Sequence, residues 1–186
     1  MINARDIINE IEKVYPKELA MSWDNPGLIC GHSDKPVSNI LIALDADNST
    51  VERAVASKAD MIITHHPMIF GQIKQVNDSD ALGRKLLKLI ENGICCYAMH
   101  TNFDIAADGM VDIVAKRLGM DSLMPLEQTA EENDRKLGIG FTARLSEPVS
   151  VHELSLRVKE AFGLSSGWYY DAGRPVQTVA VCPGSG

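Results

Sequence analysis

NILIALDADNSTVERAVASKADMIITHHPMIF, residues 39–70, holds the unit from which the rest of the architecture can be read. Residues 39–45, NILIALD, form an unbroken apolar run closed by an aspartate, the pattern of a strand covered on both faces. Asn48 or Ser49 then caps a helix carrying Val51, Ala54 and Val55. Residues 60–64, DMIIT, supply a second strand. Two strands joined through one helix make a βαβ unit, which requires parallel strands and a crossover above the sheet.

The same alternation continues on the C-terminal side. Ser79 or Asp80 caps a helix with Leu82, Leu86, Leu87, Leu89 and Ile90, and Gly93 stands just past its end. Residues 94–99, ICCYAM, are the third buried strand, and a further helix from Asp108 carries Val111, Val114 and Leu118 before Gly119. On the N-terminal side, residues 2–14 place Ile7, Ile8, Ile11 and Val14 along one side of a helix that ends before Pro16. The segment after it is irregular, with Asn25-Pro26-Gly27 as a turn. The expected class is α/β: a parallel-rich sheet of βαβ units with helices on both faces, spanning residues 1–123.

Residues 124–136, MPLEQTAEENDRK, are polar and aperiodic and read as a linker or exposed loop. A smaller α/β half is expected over 137–186. It has a strand at 137–145 and a helix opened by the Ser150/Glu153 capping box, with Leu154, Leu156, Val158 and Phe162 on it. Short strands are expected around 168–171 and 177–182. The closing QTVAVCPGSG runs a strand into a Gly-rich turn, the usual lead-in to another helix, so this half is expected to be incomplete as it stands.

The 186 residues are 45% hydrophobic and carry a net charge of −7, without a Lys/Arg cluster. That disfavours binding to a nucleic-acid backbone, whose affinity comes from phosphate neutralisation, and no basic amphipathic face suits a membrane surface. No apolar run approaches the roughly 20 residues that span a bilayer. The polar, helical start does not resemble a signal peptide. Cys30, Cys95, Cys96 and Cys182 form no Cys-x-x-Cys, and Cys95 and Cys96 face opposite sides of one strand. Reduced, mostly buried thiols in a cytoplasmic protein are the expectation.

Ligands of open parallel sheets bind beyond the carboxyl ends of the strands. At those ends the chain offers Asp45 and Asp47, then His65 and His66, then His100 followed by Asp104. Three of the five histidines therefore converge on one rim. Singly, Asp45 serves equally well as a helix cap, and His100 as a hydrogen-bonded rim residue. The adjacent pair with His100 and Asp104 points to metal. Neighbours in extended backbone diverge, so adjacency suits two ions about 3.5–4 Å apart better than one. Pro67 holds His66 in extended geometry. His32 and His152 read as surface residues, and Trp23 as a core anchor with Asp24 and Asn25 making the turn.

SWDNPGLICG, IALDA, DMIITHHPMIF, AMHTNFD and RPVQTVAVCPGSG together resemble, in order, the motifs of the Nif-three-like family, also called the YbgI-type dinuclear metal-centre or GTP cyclohydrolase I type 2 family. The likeness runs along essentially the whole chain. It implies two related α/β halves in a cytoplasmic, toroidal homohexamer whose metal sites face an inner cavity. His65, His66 and Asp104 then fall on metal ligands of two divalent ions (zinc, manganese, iron or nickel). His100 falls on a neighbouring histidine that stands behind the ligands or faces substrate and, if the protein is a hydrolase, shuttles a proton; Asp45 falls on a position beside the site. The implied activity is metal-dependent hydrolysis of a nucleotide or phosphate ester. The alternative is a non-enzymatic, metal-dependent hexameric scaffold or regulatory partner. Family members carry a further His and Glu after the GSG turn; the sequence stops at Gly186, and three protein ligands are expected to hold two ions weakly.

Overall fold

The structure, a computed structural model, describes residues 2–184. Helix α1 (Ala4–Val14) starts at a capping box in which the Asn3 side chain accepts from Asp6 N and the Asp6 carboxylate accepts from Asn3 N. Then come β1 (Gly27–Cys30), β2 (Ile40–Ala43), α2 (Asn48–Ala56), β3 (Met61–Thr64), α3 (Ala81–Glu91), β4 (Cys95–Ala98) and the short α4 (Thr101–Ile105). Asp47 caps α2 through Thr50 N, one residue ahead of the expected cap, and Asp80 caps α3 through Gly83 N.

The strands lie in the order β1-β4-β3-β2. The three strands of the βαβ run are parallel, with Ile40 beside Met61 and Met61 beside Cys95. Strand β1 is antiparallel to β4 at the other edge, within a segment expected to be irregular. Four residues are too few to carry a period-two signal. Gly31, just beyond β1, holds φ +105°, and a Cβ there would sit 2.7 Å from Cys95 Cα. Only glycine allows that approach.

Both faces carry helices. Ile62, Cys96 and Leu41 pack with Val51, Ala54 and Leu89, whereas Met61, Ile63, Cys95 and Tyr97 pack with Ala4 and Ile8. Cys95 and Cys96 therefore face opposite sides, as expected. Edge strand β2 departs from the expected two-sided cover: Leu41 packs, but Ile42 is 76% exposed. The residues of α1 in the core on that side meet β3 and β4, leaving Ile40 and Ile42 uncovered. All four cysteines are free. Cys95 and Cys96 are fully buried and Cys30 half-buried, whereas Cys182 is exposed. Burial pushes the Cys30 thiol up to about 11 and the Cys96 thiol up to about 12, so neither is a thiolate near neutrality.

The chain divides into two compact units between Phe103 and Asp104. The second contains α5 (Met110–Leu118), β5 (Met124–Glu132), β6 (Arg135–Val149), α6 (Val151–Ala161) and β7 (Val176–Val181), with an antiparallel sheet ordered β5-β6-β7. Phe141 and Ala143 of β6 pack with Val114 and Ala115 of α5 and with Leu154 and Phe162. Helix α5, expected in the first domain, therefore belongs to the second core.

Residues 124–136 are not a linker. They form β5 and the tip of a hairpin in which Glu132 faces Arg135, and Asn133 and Asp134 both hold positive φ. Two left-handed residues between antiparallel strands match the right-handed strand twist. Strand β5 is mostly exposed, so it lacks an apolar alternation. The expected strand at 168–171 is absent, while that at 177–182 appears as β7. Ser185 and Gly186, the end of the expected Gly-rich turn, lie outside the described residues. Among the described residues no helix is long and apolar enough to cross a membrane.

Candidate metal centre

Strand β3 stops at Thr64, and backbone contacts hold the residues that follow. His66 N donates to Leu44 O at 3.0 Å, Thr64 Oγ1 donates to His66 O at 2.9 Å, and Met99 N donates to Thr64 O at 3.0 Å. Beyond β4, His100 N donates to the Asn102 side chain at 2.9 Å, and the fully buried Asn102 donates in turn to Tyr15 O. The loops after neighbouring parallel strands thus rest on one another, which brings their side chains to one rim.

His65, His66 and His100 meet there, with one ligand atom from each lying within 4.8 Å of the others. The rings of His65 and His66 are 4.9 Å apart, and His100 lies 5.1 and 5.5 Å from them. The expected divergence of adjacent histidines does not occur. Both lie in the bend past β3, where strand alternation no longer governs side-chain direction.

Each imidazole is anchored through Nδ1. His65 Nδ1 lies 3.1 Å from Met99 O, His66 Nδ1 2.8 Å from Asp45 Oδ1, and His100 Nδ1 2.8 Å from Asp24 Oδ1. A carbonyl or carboxylate oxygen only accepts, so Nδ1 carries the hydrogen in all three, and in a neutral ring the lone pair then lies on Nε2. This is the outer-shell arrangement that orients metal-binding histidines and fixes their tautomer. Burial, then the neighbouring His100 and His66, lower the pKa of His65, which favours the neutral, ligating form of that ring. The donor set fits a divalent cation.

Asp45 thus supports His66 at the edge of the cluster. Asp47, the other rim carboxylate, caps α2 instead. Asp104 occupies a half-buried position in α4, four residues after His100, where the second unit begins. His32 is exposed, as is His152, which bonds the Tyr169 hydroxyl.

Asp24 is the residue that the sequence concealed. Its side chain is fully buried and accepts from His100 Nδ1, from Thr101 N at 3.0 Å and Oγ1 at 2.5 Å, and from Asn25 N at 2.8 Å. Burial alone would raise its pKa; these hydrogen bonds outweigh burial and hold it below the usual carboxylate range. In SWDNPG an aspartate reads as a turn former, and nothing local signals a partner 76 positions away. Trp23 is not a core anchor. It is 53% exposed, 5.7 Å from the Phe70 ring and 6.2 Å from that of His100.

The chain resembles known proteins along its length. The chain is 34% identical over 186 residues to a GTP cyclohydrolase 1 type 2 homolog of Clostridium acetobutylicum, covering all of this chain and 69% of that protein. A protein of the same name from Streptomyces coelicolor is 35% identical over 184 residues, 97% of this chain and 65% of its own length. Among solved structures, a Bacillus cereus protein related to NIF3 superposes with a TM-score of 0.86 at 24% identity, over 100% of this chain and 77% of that one. Reduced HcgD from Methanocaldococcus jannaschii aligns with a TM-score of 0.73 at 31% identity, over 86% and 60%. Residues 2–186 match the family described as Duf34/NIF3 (NGG1p interacting factor 3), and with these likenesses along its length the chain belongs to that family.

Proposed function

We propose that this chain holds two divalent cations at the rim of its parallel strands and works as a metal-dependent hydrolase on a nucleotide or phosphate ester. The observation that carries a metal at this rim is the convergence of three imidazoles, each with Nδ1 committed to an acceptor, and the count of two ions is carried over from the family resemblance. The name these relatives carry, GTP cyclohydrolase 1 type 2 homolog, supports a nucleotide as substrate. His65 and His66 would hold the ions, with Asp104 as the carboxylate ligand carried over from the family resemblance. Divalent cations supply Lewis acidity and a lowered pKa for water at such a site.

His100 is assigned proton transfer. With Nδ1–H held by the buried Asp24 carboxylate, Nε2 accepts a proton, and the carboxylate steadies the imidazolium that results. Asp45 and Met99 O keep the other two rings from rotating away. A cytoplasmic setting and a toroidal homohexamer are part of the proposal.

The test is calorimetric titration with zinc and manganese, paired with formate and phosphate release from a panel of nucleotides and phosphate esters. Loss of both metal binding and turnover in His65→Ala is expected; full turnover in that variant would end the proposal. The family description as an interacting factor favours a second reading, a metal-dependent hexameric scaffold. Metal-dependent oligomer size without turnover on any substrate would select it.

A further inference from the structure

Two large aromatic rings stand half-exposed beside the histidines. Trp23 is 53% and Phe70 55% exposed, although the same unit buries the ring of Tyr97 completely. They form a tilted pair, and their centroids lie 6.2 and 6.0 Å from that of His100. Adjoining exposed rings beside a few polar groups have the make-up of a ligand site, apolar walls with sparse polar contacts.

The pair is also held in place. Asp24, next to Trp23, is locked by its four accepted hydrogen bonds. The Asn25 side chain donates to Ile69 O at 2.8 Å, which ties the turn bearing Trp23 to the loop bearing Phe70. Three consecutive residues therefore present one ring, fix His100 and clasp the segment that presents the other ring. Rings pre-set in this way bind without the entropic cost of ordering flexible side chains.

We propose that Trp23 and Phe70 form a stacking wall for a planar heteroaromatic ring on the ligand, a nucleobase being the class that fits. The wall rests on the reading of the adjacent rim as a reaction site, and it narrows that reading from phosphate esters in general to ring-bearing ones. Aromatic stacking is sequence-tolerant and strong enough to act without metal. Ring capture and metal binding are therefore separable.

The experiment uses the full chain carrying Trp168→Phe, so that Trp23 is the only tryptophan; Trp168 lies on the surface. Fluorescence is titrated with guanosine, adenosine and ribose 5-phosphate, first in EDTA and then with zinc. Saturable quenching by the nucleosides in both conditions, and none by ribose 5-phosphate, is expected. Phe70→Leu should weaken nucleoside binding at least about fivefold, Phe70→Tyr should restore it, and zinc affinity should be the same in both variants. Absence of nucleoside quenching, equal quenching by ribose 5-phosphate, or unchanged affinity in Phe70→Leu would overturn the wall. Failure of zinc to bind while nucleosides still quench would instead sink the metal reading and leave the wall standing.

Discussion

Replacing Asp24 by asparagine changes almost no volume, yet the geometry gives the new amide no satisfactory orientation. One Asp24 oxygen accepts from His100 Nδ1 and Asn25 N, the other from Thr101 N and Oγ1. If the amide NH2 points at Thr101, the Thr101 N–H loses its acceptor inside a fully buried pocket. If it points at His100, Nδ1 must become the acceptor and the hydrogen moves to Nε2. The first outcome loses a charge-assisted hydrogen bond and strands a buried donor, together about 3 kcal/mol. The urea midpoint should then fall by about 2 M. The second outcome should appear as a reversed His100 tautomer in the nitrogen-15 spectrum of the ring. Either should slow the proposed hydrolysis by about 100-fold or more, because His100 is the group proposed to move the proton. An unchanged midpoint together with unchanged His100 ring signals would refute the assignment of Asp24 as the group that orients His100.

Two further outcomes follow from packing and charge. Phe141 is fully buried in the core of the second unit, so Phe141→Ala should cost about 3–5 kcal/mol, read as a lowered transition by circular dichroism; a loss below about 1 kcal/mol would show a core that collapses around the gap. Asp60 accepts from Ser38 N at 2.9 Å and Asn39 N at 3.1 Å and pairs with Lys35, which together hold its pKa below the ordinary 3.8. Its stabilising effect is therefore present above pH 3.8 and fades as pH falls through the lower folded-state value. Melting curves of wild type and Asp60→Asn should differ at neutral pH and converge in acid; a gap that widened in acid would reverse the assignment.

Much of the first unit was legible because its cues are local. Apolar runs with one helix between them, Asp80 as a cap, and histidines at strand ends are patterns within a dozen residues, and parallel topology follows from them. The polar hairpin at β5 and β6 was not, since an exposed strand has no apolar alternation to betray it; Asn133-Asp134 was its one cue. The extent of cover on β2 was equally out of reach, because an apolar run states what prefers burial and not whether a neighbour arrives to bury it.

Local chemistry alone thus named His65, His66 and His100 as partners, for strand-end position is written in the chain's own periodicity. Which atoms hold those rings, why the adjacent pair does not splay, and that Asp24 rather than a nearer carboxylate locks His100 were settled only when distant segments packed. Hydrogen bonds across 76 positions depend on where the backbone has been carried, and no pattern in neighbouring residues encodes that distance.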